Sequence, residues 1–136
     1  MRDPFVTKNI LKWYDLNKRS LPWRKNVSKE KRQYNTLISE FMLQQTQVAT
    51  VIPYFNKFVK EIPNIKKLAS VDNKKLIKLW EGLGYYSRAR NLKKAAQSVI
   101  KNFNGVIPDN FDDLKSLSGI GDYTANAILA IAFNKP

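Results

Sequence analysis

The sequence contains neither cysteine nor histidine among its 136 residues. Their absence excludes disulfides, thiol nucleophiles, imidazole bases and the usual zinc sites within these residues, so any catalysis must use other groups. Acidic residues are also scarce, since 24 Lys and Arg stand against 11 Asp and Glu and give a net charge of +13. A charge of this size favours a polyanionic partner, nucleic acid first, although a generally basic protein shows the same balance.

Long apolar runs are missing as well, and none is long enough to span a membrane. The first four residues, Met-Arg-Asp-Pro, lack the apolar core of a signal peptide. We therefore expect a soluble, intracellular protein. The hydrophobic content of 43% and the aromatic content of 12% indicate a folded chain, and the length fits one domain.

Apolar residues recur at helical spacing, and no segment shows the sustained alternation that is typical of a strand. A stripe of such residues predicts a buried helix over residues 34–45, after a loop over residues 19–32 in which Trp23 anchors the chain to the core. Further helices are expected over residues 5–17, 48–59, 65–69 and 125–133. Two more begin after the caps Asp72 and Asn110, and a long helix follows the loop at residues 81–90 and ends at about residue 102. The sequence thus predicts an all-α fold of about seven or eight short helices.

The stretch from residue 117 to residue 125 has two glycines, Gly119 and Gly121, on either side of one Ile. Glycine permits backbone conformations that other residues resist and lets the backbone approach a ligand closely. The amide groups that open the next helix would face outward with the positive end of the helix dipole behind them, as in a phosphate site. A helix–turn–helix corner capped by glycine is the alternative interpretation.

Glu40 is a carboxylate that the helical pattern places between the buried stripe and Leu43. At about 100° per residue it lies roughly 120° from the centre of the stripe, on a flank of the helix. Partial burial there favours the protonated form of a carboxyl, which can then act as an acid near neutral pH. A solvated or salt-bridged glutamate is the alternative, and it is the commoner fate of a single Glu on a helix.

Two further segments carry groups suited to nucleic acid. Residues 44–47, Gln-Gln-Thr-Gln, form a dense polar cluster whose amides can reach base edges or phosphates, unless they form only a polar helix end. Residues 81–90 combine glycines with Tyr85, Tyr86, Arg88 and Arg90. A ring at a loop tip can enter a base stack and arginine can hold phosphates, whereas the alternative is a turn whose tyrosines pack into the core.

Four segments occur together and in order: Leu21-Pro22-Trp23-Arg24, the block from Ser39 to Val48 with its Glu-Phe-Met-Leu-Gln-Gln-Thr sequence, the loop from Trp80 to Arg88, and the hairpin from Leu117 to Ala125. With these segments the chain closely resembles the adenine DNA glycosylase (MutY-type) family of the helix-hairpin-helix (HhH-GPD) glycosylase superfamily, along essentially its whole length. The glutamate-containing block is far more specific than a glycine hairpin.

The resemblance implies a helix-hairpin-helix DNA glycosylase fold, its six-helix-barrel part, and a monofunctional enzyme of base excision repair. Such an enzyme hydrolyses the N-glycosidic bond of adenine mispaired with guanine or 8-oxoguanine in double-stranded DNA, after the base has left the stack. Glu40 matches the general acid, and Tyr123 lies where relatives carry a tyrosine beside the sugar. The implied DNA-binding residues are Arg24 at the adenine pocket, Gln45 and Tyr85 as groups that enter the duplex, and Gln44, Thr46, Arg88, Gly119, Ile120, Gly121 and Thr124.

The same resemblance defines what these residues lack. Relatives carry, soon after the last helix, an Asp that steadies the cationic sugar, then four Cys that bind a [4Fe-4S] cluster, and a domain that reads 8-oxoguanine. We expect residues 1–22 to form a helix that packs with the cluster region and residues 23–136 to form the helical barrel, C-terminally truncated. The apolar helix at residues 125–133 would then lack a cover, and we expect a monomer, associated with the nucleoid, with little activity as this fragment.

Two alternatives stay open beside the glycosylase. An endonuclease-III-like glycosylase with lyase activity places a Schiff-base lysine at the second residue after the last hairpin glycine, where this chain has Tyr123. A non-catalytic helix-hairpin-helix module would need only the hairpin and the basic surface, and the charge permits it.

Overall fold

The computed structural model describes residues 21–24 and 26–135, and this part of the chain contains helices and no strand. A short 3-10 helix at Pro22–Arg24 precedes the α-helices, which are α1 Lys29–Leu43, α2 Val48–Glu61, α3 Ile65–Ala69, α4 Asn73–Trp80, α5 Tyr86–Asn102, α6 Phe111–Lys115 and α7 Asp122–Phe133. The predicted all-α fold is confirmed, whereas the predicted helix over residues 5–17 lies outside the described residues. None of the described helices is both long and apolar enough to cross a membrane.

Helix α1 lies at the centre of the fold, where it packs against α2, α5, α7 and the 3-10 helix. Its residues from Thr36 to Met42 are all buried, so the expectation that more than one face is covered is confirmed. The predicted start was wrong, because the helix begins at Lys29. The Ser28 hydroxyl accepts a hydrogen bond from the Lys31 amide at 3.2 Å, and this N-cap starts a solvated polar turn that apolar periodicity does not register.

The polar caps and the aromatic anchor of the fold agree with their predictions. Asp72 accepts a bond from the Lys74 amide at 2.7 Å, and Asn110 accepts one from the Asp113 amide at 2.9 Å. Trp23 is buried and meets the Phe55 ring edge-on, with the ring centroids 5.2 Å apart. These contacts tie the chain ends of α4 and α6 and the 3-10 helix to fixed positions around α1.

Helix α7 is covered on one face, which corrects the expectation that its apolar surface has no cover. It packs against α1 and α6, and the buried residues are Thr124, Ala125, Ile128, Leu129 and Ala132. Asn126 and Ala130 lie on the exposed side. Alanine exposes little apolar area, so a helix that looks apolar all round in sequence has only one large buried face.

Three loops meet at the surface around the ends of these helices. The glutamine loop (residues 44–47) joins α1 to α2, the tyrosine loop (residues 81–85) joins α4 to α5, and the glycine hairpin (residues 116–121) joins α6 to α7. Each loop follows directly from a helix that contacts the core, so their positions are set by the packing of the bundle.

The Tyr34 hydroxyl gives a test of this packing. It donates a hydrogen bond of 2.5 Å to the Ile62 carbonyl across the buried contact between α1 and the end of α2, and burial raises the pKa of the phenol. We expect Tyr34→Phe to lower the free energy of unfolding by about 1–3 kcal/mol, because a buried carbonyl loses its donor. Urea unfolding measures this, with Tyr86→Phe at an exposed ring as the control; equal stability of the two variants would contradict the role of the bond.

Candidate nucleic-acid interface and active site

Glu40 lies in the last turn of α1 and is only 6% exposed. The predicted burial of this carboxyl is therefore confirmed, and it is deeper than a position on the flank of a helix suggested. Burial follows from packing, since α5 and α7 both pack against α1 in addition to α2. Glu40 thus lies in the helical turn that leads into the glutamine loop, and its side chain is largely shielded from water.

Arg88 occupies the space where the end of α1 meets the other loops. Its Nη1 donates to the carbonyls of Phe41 at 3.2 Å, of Met42 at 2.7 Å, and of Gln44. Its Nη2 donates to the Thr46 hydroxyl at 3.2 Å, the Leu83 carbonyl at 3.3 Å and the Gly84 carbonyl at 3.2 Å. These six acceptors engage both terminal nitrogens of the guanidinium, whereas its buried Nε has no hydrogen-bond partner among the described residues.

The position of Arg88 revises its predicted role as a phosphate contact. The side chain is 6% exposed, and its guanidinium carbon lies 5.6 Å from the Trp80 ring centroid and 5.5 Å from that of Tyr85. Burial lowers the pKa of Arg88, while Tyr85 acts in the opposite direction. The backbone acceptors inside the protein, which the sequence could not show, take the donors that a phosphate would need.

Gln45 and Tyr85 both lie at loop tips with left-handed backbone, at φ 62° and φ 50°. Gln45 is exposed and the Tyr85 ring is 62% exposed. A left-handed conformation is costly for a residue with a Cβ and persists where the surroundings enforce it, often at a functional site. The structure thus presents both residues outward at neighbouring loops, and their entry into a duplex stays a prediction.

Gln44 bridges the glutamine loop to the glycine hairpin. Its Nε2 donates to the Gly119 carbonyl at 3.2 Å and to the Thr124 hydroxyl at 3.3 Å. Thr124 is buried, and Thr46 is half-buried with its hydroxyl on Arg88. The Gln44 amide nitrogen is thus engaged within the protein, whereas the Thr46 and Thr124 hydroxyls accept these bonds and keep a proton to donate.

The backbone of the glycine hairpin packs closely against side chains of α1 and α5. Gly119 has φ +82°, and a Cβ there would lie 2.9 Å from both the Phe41 ring and the Asn91 Cβ. Ile120 is buried, so its side chain anchors the turn and only its backbone is available to a ligand. Gly121 is exposed and is the N-cap of α7, where a glycine has no side chain with which to cap the helix. This is the geometry of an anion site at a helix N-terminus.

Several positions around the hairpin were not predicted from the sequence. Asn91 accepts a hydrogen bond from the Ser118 hydroxyl at 2.9 Å, and Lys115 pairs with Asp122 at 2.7 Å. This contact with Asp122 raises the pKa of Lys115. Asn91 follows Arg88 by three residues on α5, a spacing that places both on one face, but no sequence pattern names their partners.

Tyr123 and Arg24 complete the predicted set. Tyr123 lies in the first turn of α7, two residues after Gly121, and is 60% exposed. Arg24 ends the 3-10 helix, and its side chain is outside what the structure describes. Tyr123 is close in sequence to the hairpin, which Gln44 joins to the glutamine loop, and Arg88 joins the glutamine loop to the tyrosine loop.

The described residues also contain no group of three or more His, Cys, Asp or Glu side chains that could hold a metal ion. The whole sequence has no cysteine. The ligand set that the resemblance implies for a [4Fe-4S] cluster therefore does not fit the residues present, and no step of the chemistry is assigned to such a group.

The fold and the site define a helix-hairpin-helix protein, and residues 38–134 match the HhH-GPD superfamily of base excision DNA repair proteins. The chain belongs to this superfamily. Two curated relatives carry the name adenine DNA glycosylase. The protein from Rattus norvegicus is 46% identical over 133 residues, which cover 94% of this chain and 26% of the relative. The protein from Buchnera aphidicola subsp. Baizongia pistaciae is 47% identical over 128 residues, which cover 93% and 35%.

Solved structures give the same fold. A thermostable thymine-DNA glycosylase aligns with a TM-score of 0.78 and 27% identity, over 96% of this chain and 59% of that chain. A trapped endonuclease III–DNA covalent intermediate aligns with a TM-score of 0.73 and 23% identity, over 95% and 61%. The chain spans about a quarter to a third of the length of the curated relatives described above.

Two glycines of the hairpin provide a matched pair for testing its geometry. We expect Gly119→Ala to destabilise the fold by about 1–3 kcal/mol, because the new Cβ is strained at positive φ and meets Phe41 and Asn91. Gly121→Ala should stay within about 0.5 kcal/mol, since nothing lies within 4 Å of its Cβ position. Thermal and urea unfolding compare the two, and equal losses would show that the close approach at Gly119 carries no cost.

Proposed function

We propose that this chain forms the adenine-recognising and DNA-gripping part of an adenine DNA glycosylase. The observation that carries the proposal is the buried carboxyl of Glu40, 6% exposed, beside a surface that presents the two loop tips and the glycine hairpin. The identity with curated adenine DNA glycosylases supports adenine as the base, and the resemblance of the motifs supports 8-oxoguanine or guanine as its partner. The work of such a protein is on the genome, at the nucleoid.

In this proposal DNA binds through charge and through the hairpin. The net charge of +13 supplies attraction that does not depend on sequence. The amides at the start of α7 and the exposed Gly121 bind one phosphate, because the backbone can approach it without a side chain in between. Gln45 and Tyr85 then enter the stack beside the mispair and favour extrusion of the adenine.

Glu40 would supply the proton for base release. The proton passes from its carboxyl to a ring nitrogen of adenine, the N-glycosidic bond breaks with its electron pair leaving on the base, and the sugar becomes an oxocarbenium-like cation that water captures. The exposed ring of Tyr123 lies in the first turn of α7, close to the proposed phosphate site. In this proposal the sugar of the extruded nucleotide lies next to that ring.

Tyr123 also bears on the alternative of an endonuclease-III-like lyase. A Schiff base needs an amine at this position, and a phenol cannot form one. We therefore propose a monofunctional glycosylase. A non-catalytic DNA-binding module differs from it in one respect only, which is the absence of base release, and it becomes an outcome of the following test.

Glu40→Gln tests the assignment of the acid. The variant should lose adenine release from a duplex with A opposite 8-oxoguanine by about a hundredfold or more, because general acids contribute on the order of 10²–10⁴ in rate. Its affinity for the duplex should stay within about twofold of the unchanged protein, since the carboxyl is buried away from phosphates. Single-turnover release and DNA titration measure the two quantities, with Glu30→Gln, exposed on the same helix, as the control.

The assay includes this chain alone and the chain fused to the segment that follows the matching region in the Buchnera relative, since the chain covers 35% of that protein. We expect release by the fusion and loss of it with Glu40→Gln. Equal adenine release by the fusion with Glu40 and by the fusion with Glu40→Gln would overturn the role of Glu40. Binding without release by every form would favour the non-catalytic module.

A further inference from the structure

Gln45 and Tyr85 are exposed residues that carry a side chain and yet adopt positive φ, and each lies next to residues that bond to Arg88. Each such conformation costs about 1–3 kcal/mol for a residue with a side chain unless its neighbours over-determine it. Hydrophobic packing cannot hold these residues, because both are exposed. Hydrogen bonds made by the residues next to them therefore contribute to holding this geometry.

Arg88 makes those bonds for both loops at once. Its acceptors Gln44 and Thr46 stand immediately before and after Gln45, and its acceptors Leu83 and Gly84 stand immediately before Tyr85. The same guanidinium lies 5.5 Å from the Tyr85 ring centroid. One side chain thus fixes the backbone that carries each tip, and it also contacts the second tip directly.

The bond network continues to the third loop. Gln44, held at its carbonyl by Arg88, donates through its side chain to the Gly119 carbonyl. Asn91, one turn beyond Arg88 on α5, accepts from Ser118 of the glycine hairpin. Helix α5 therefore connects the glycine hairpin, through Asn91, to the loops that carry Gln45 and Tyr85, through Arg88.

We propose that Arg88 is a positioning residue that joins the glutamine loop and the tyrosine loop into one preassembled wedge, so that Gln45 and Tyr85 act on the duplex as a unit. The inference rests on the proposed function, in which these two residues enter the stack. Preassembly matters because a loop that must be ordered on binding lowers the affinity by the cost of that ordering. Lysine cannot replace Arg88, because a single ammonium lacks the planar fork that reaches acceptors on both loops.

The first test is a double-mutant cycle on the 136-residue protein. Binding is measured on a duplex with A opposite 8-oxoguanine, with 2-aminopurine next to the 8-oxoguanine as a fluorescent report of unstacking, and on a matched duplex. We expect Gln45→Ala and Tyr85→Ala each to weaken mispair-specific binding, and the double variant to be no weaker than the worse single one. The effects of the two substitutions on the dissociation constant would then be coupled by a factor on the order of tenfold.

The second test repeats the same double-mutant cycle of Gln45→Ala and Tyr85→Ala in a protein that also carries Arg88→Lys. The coupling should vanish, the 2-aminopurine signal should fall, and affinity for the matched duplex should stay within about twofold, because the charge is kept. Arg90→Lys is the control, since Arg90 is exposed on the same helix. A purely structural role would lower the unfolding midpoint and leave the coupling intact.

The outcomes separate the two proposals. Additive losses from Gln45→Ala and Tyr85→Ala would overturn the wedge while mispair-specific binding still supports the proposed function, and this result does not depend on whether Arg88→Lys folds. Coupling that survives in Arg88→Lys would also overturn the role of Arg88. The absence of any preference for the mispair in the unchanged protein would overturn both proposals together.

Discussion

The end of the buried helix α1 sets the main constraint on this structure. The last carbonyls of an α-helix have no partner within the helix, and those of α1 end at a junction of several elements. The last turn of α1 has no basic residue of its own, so the cation comes from α5 as Arg88, which caps the Phe41 and Met42 carbonyls. A guanidinium there also meets the negative end of the helix dipole. The packing of α5 against α1 and the positions of two loops depend on this contact.

The same contact explains how exposed side chains can be held in strained backbone. The charge of Arg88 is buried but shared among several oxygen atoms and stacked between the rings of Trp80 and Tyr85, which offsets the cost of its desolvation. Rigidity at the loop bases leaves the tips of the loops free to meet a ligand. The conformation of the exposed loop residues is therefore set by buried groups, chiefly Arg88, which a ligand does not contact.

The overall charge and the local contacts have separate roles. Of the basic residues that give the chain its net charge of +13, Arg88 contributes to the field while its donors are used internally. Lys115 is close to Asp122 at the start of α7 and offsets a negative charge beside the proposed phosphate grip. A long-range field that attracts DNA can thus coexist with a local geometry in which the phosphate meets mainly backbone amides.

Local patterns in the sequence determined the helical class, the exact span of α3, the caps at Asp72 and Asn110 and the burial of Trp23, because each depends on neighbours within a few residues. They also placed Glu40 on a helix and out of full contact with water. Only the tertiary structure decided that Arg88 points inward and that the Gln44 amide bonds to the hairpin. The reason is physical: the partners of a long polar side chain lie on other helices, and periodicity along one helix carries no information about what those helices bring to it.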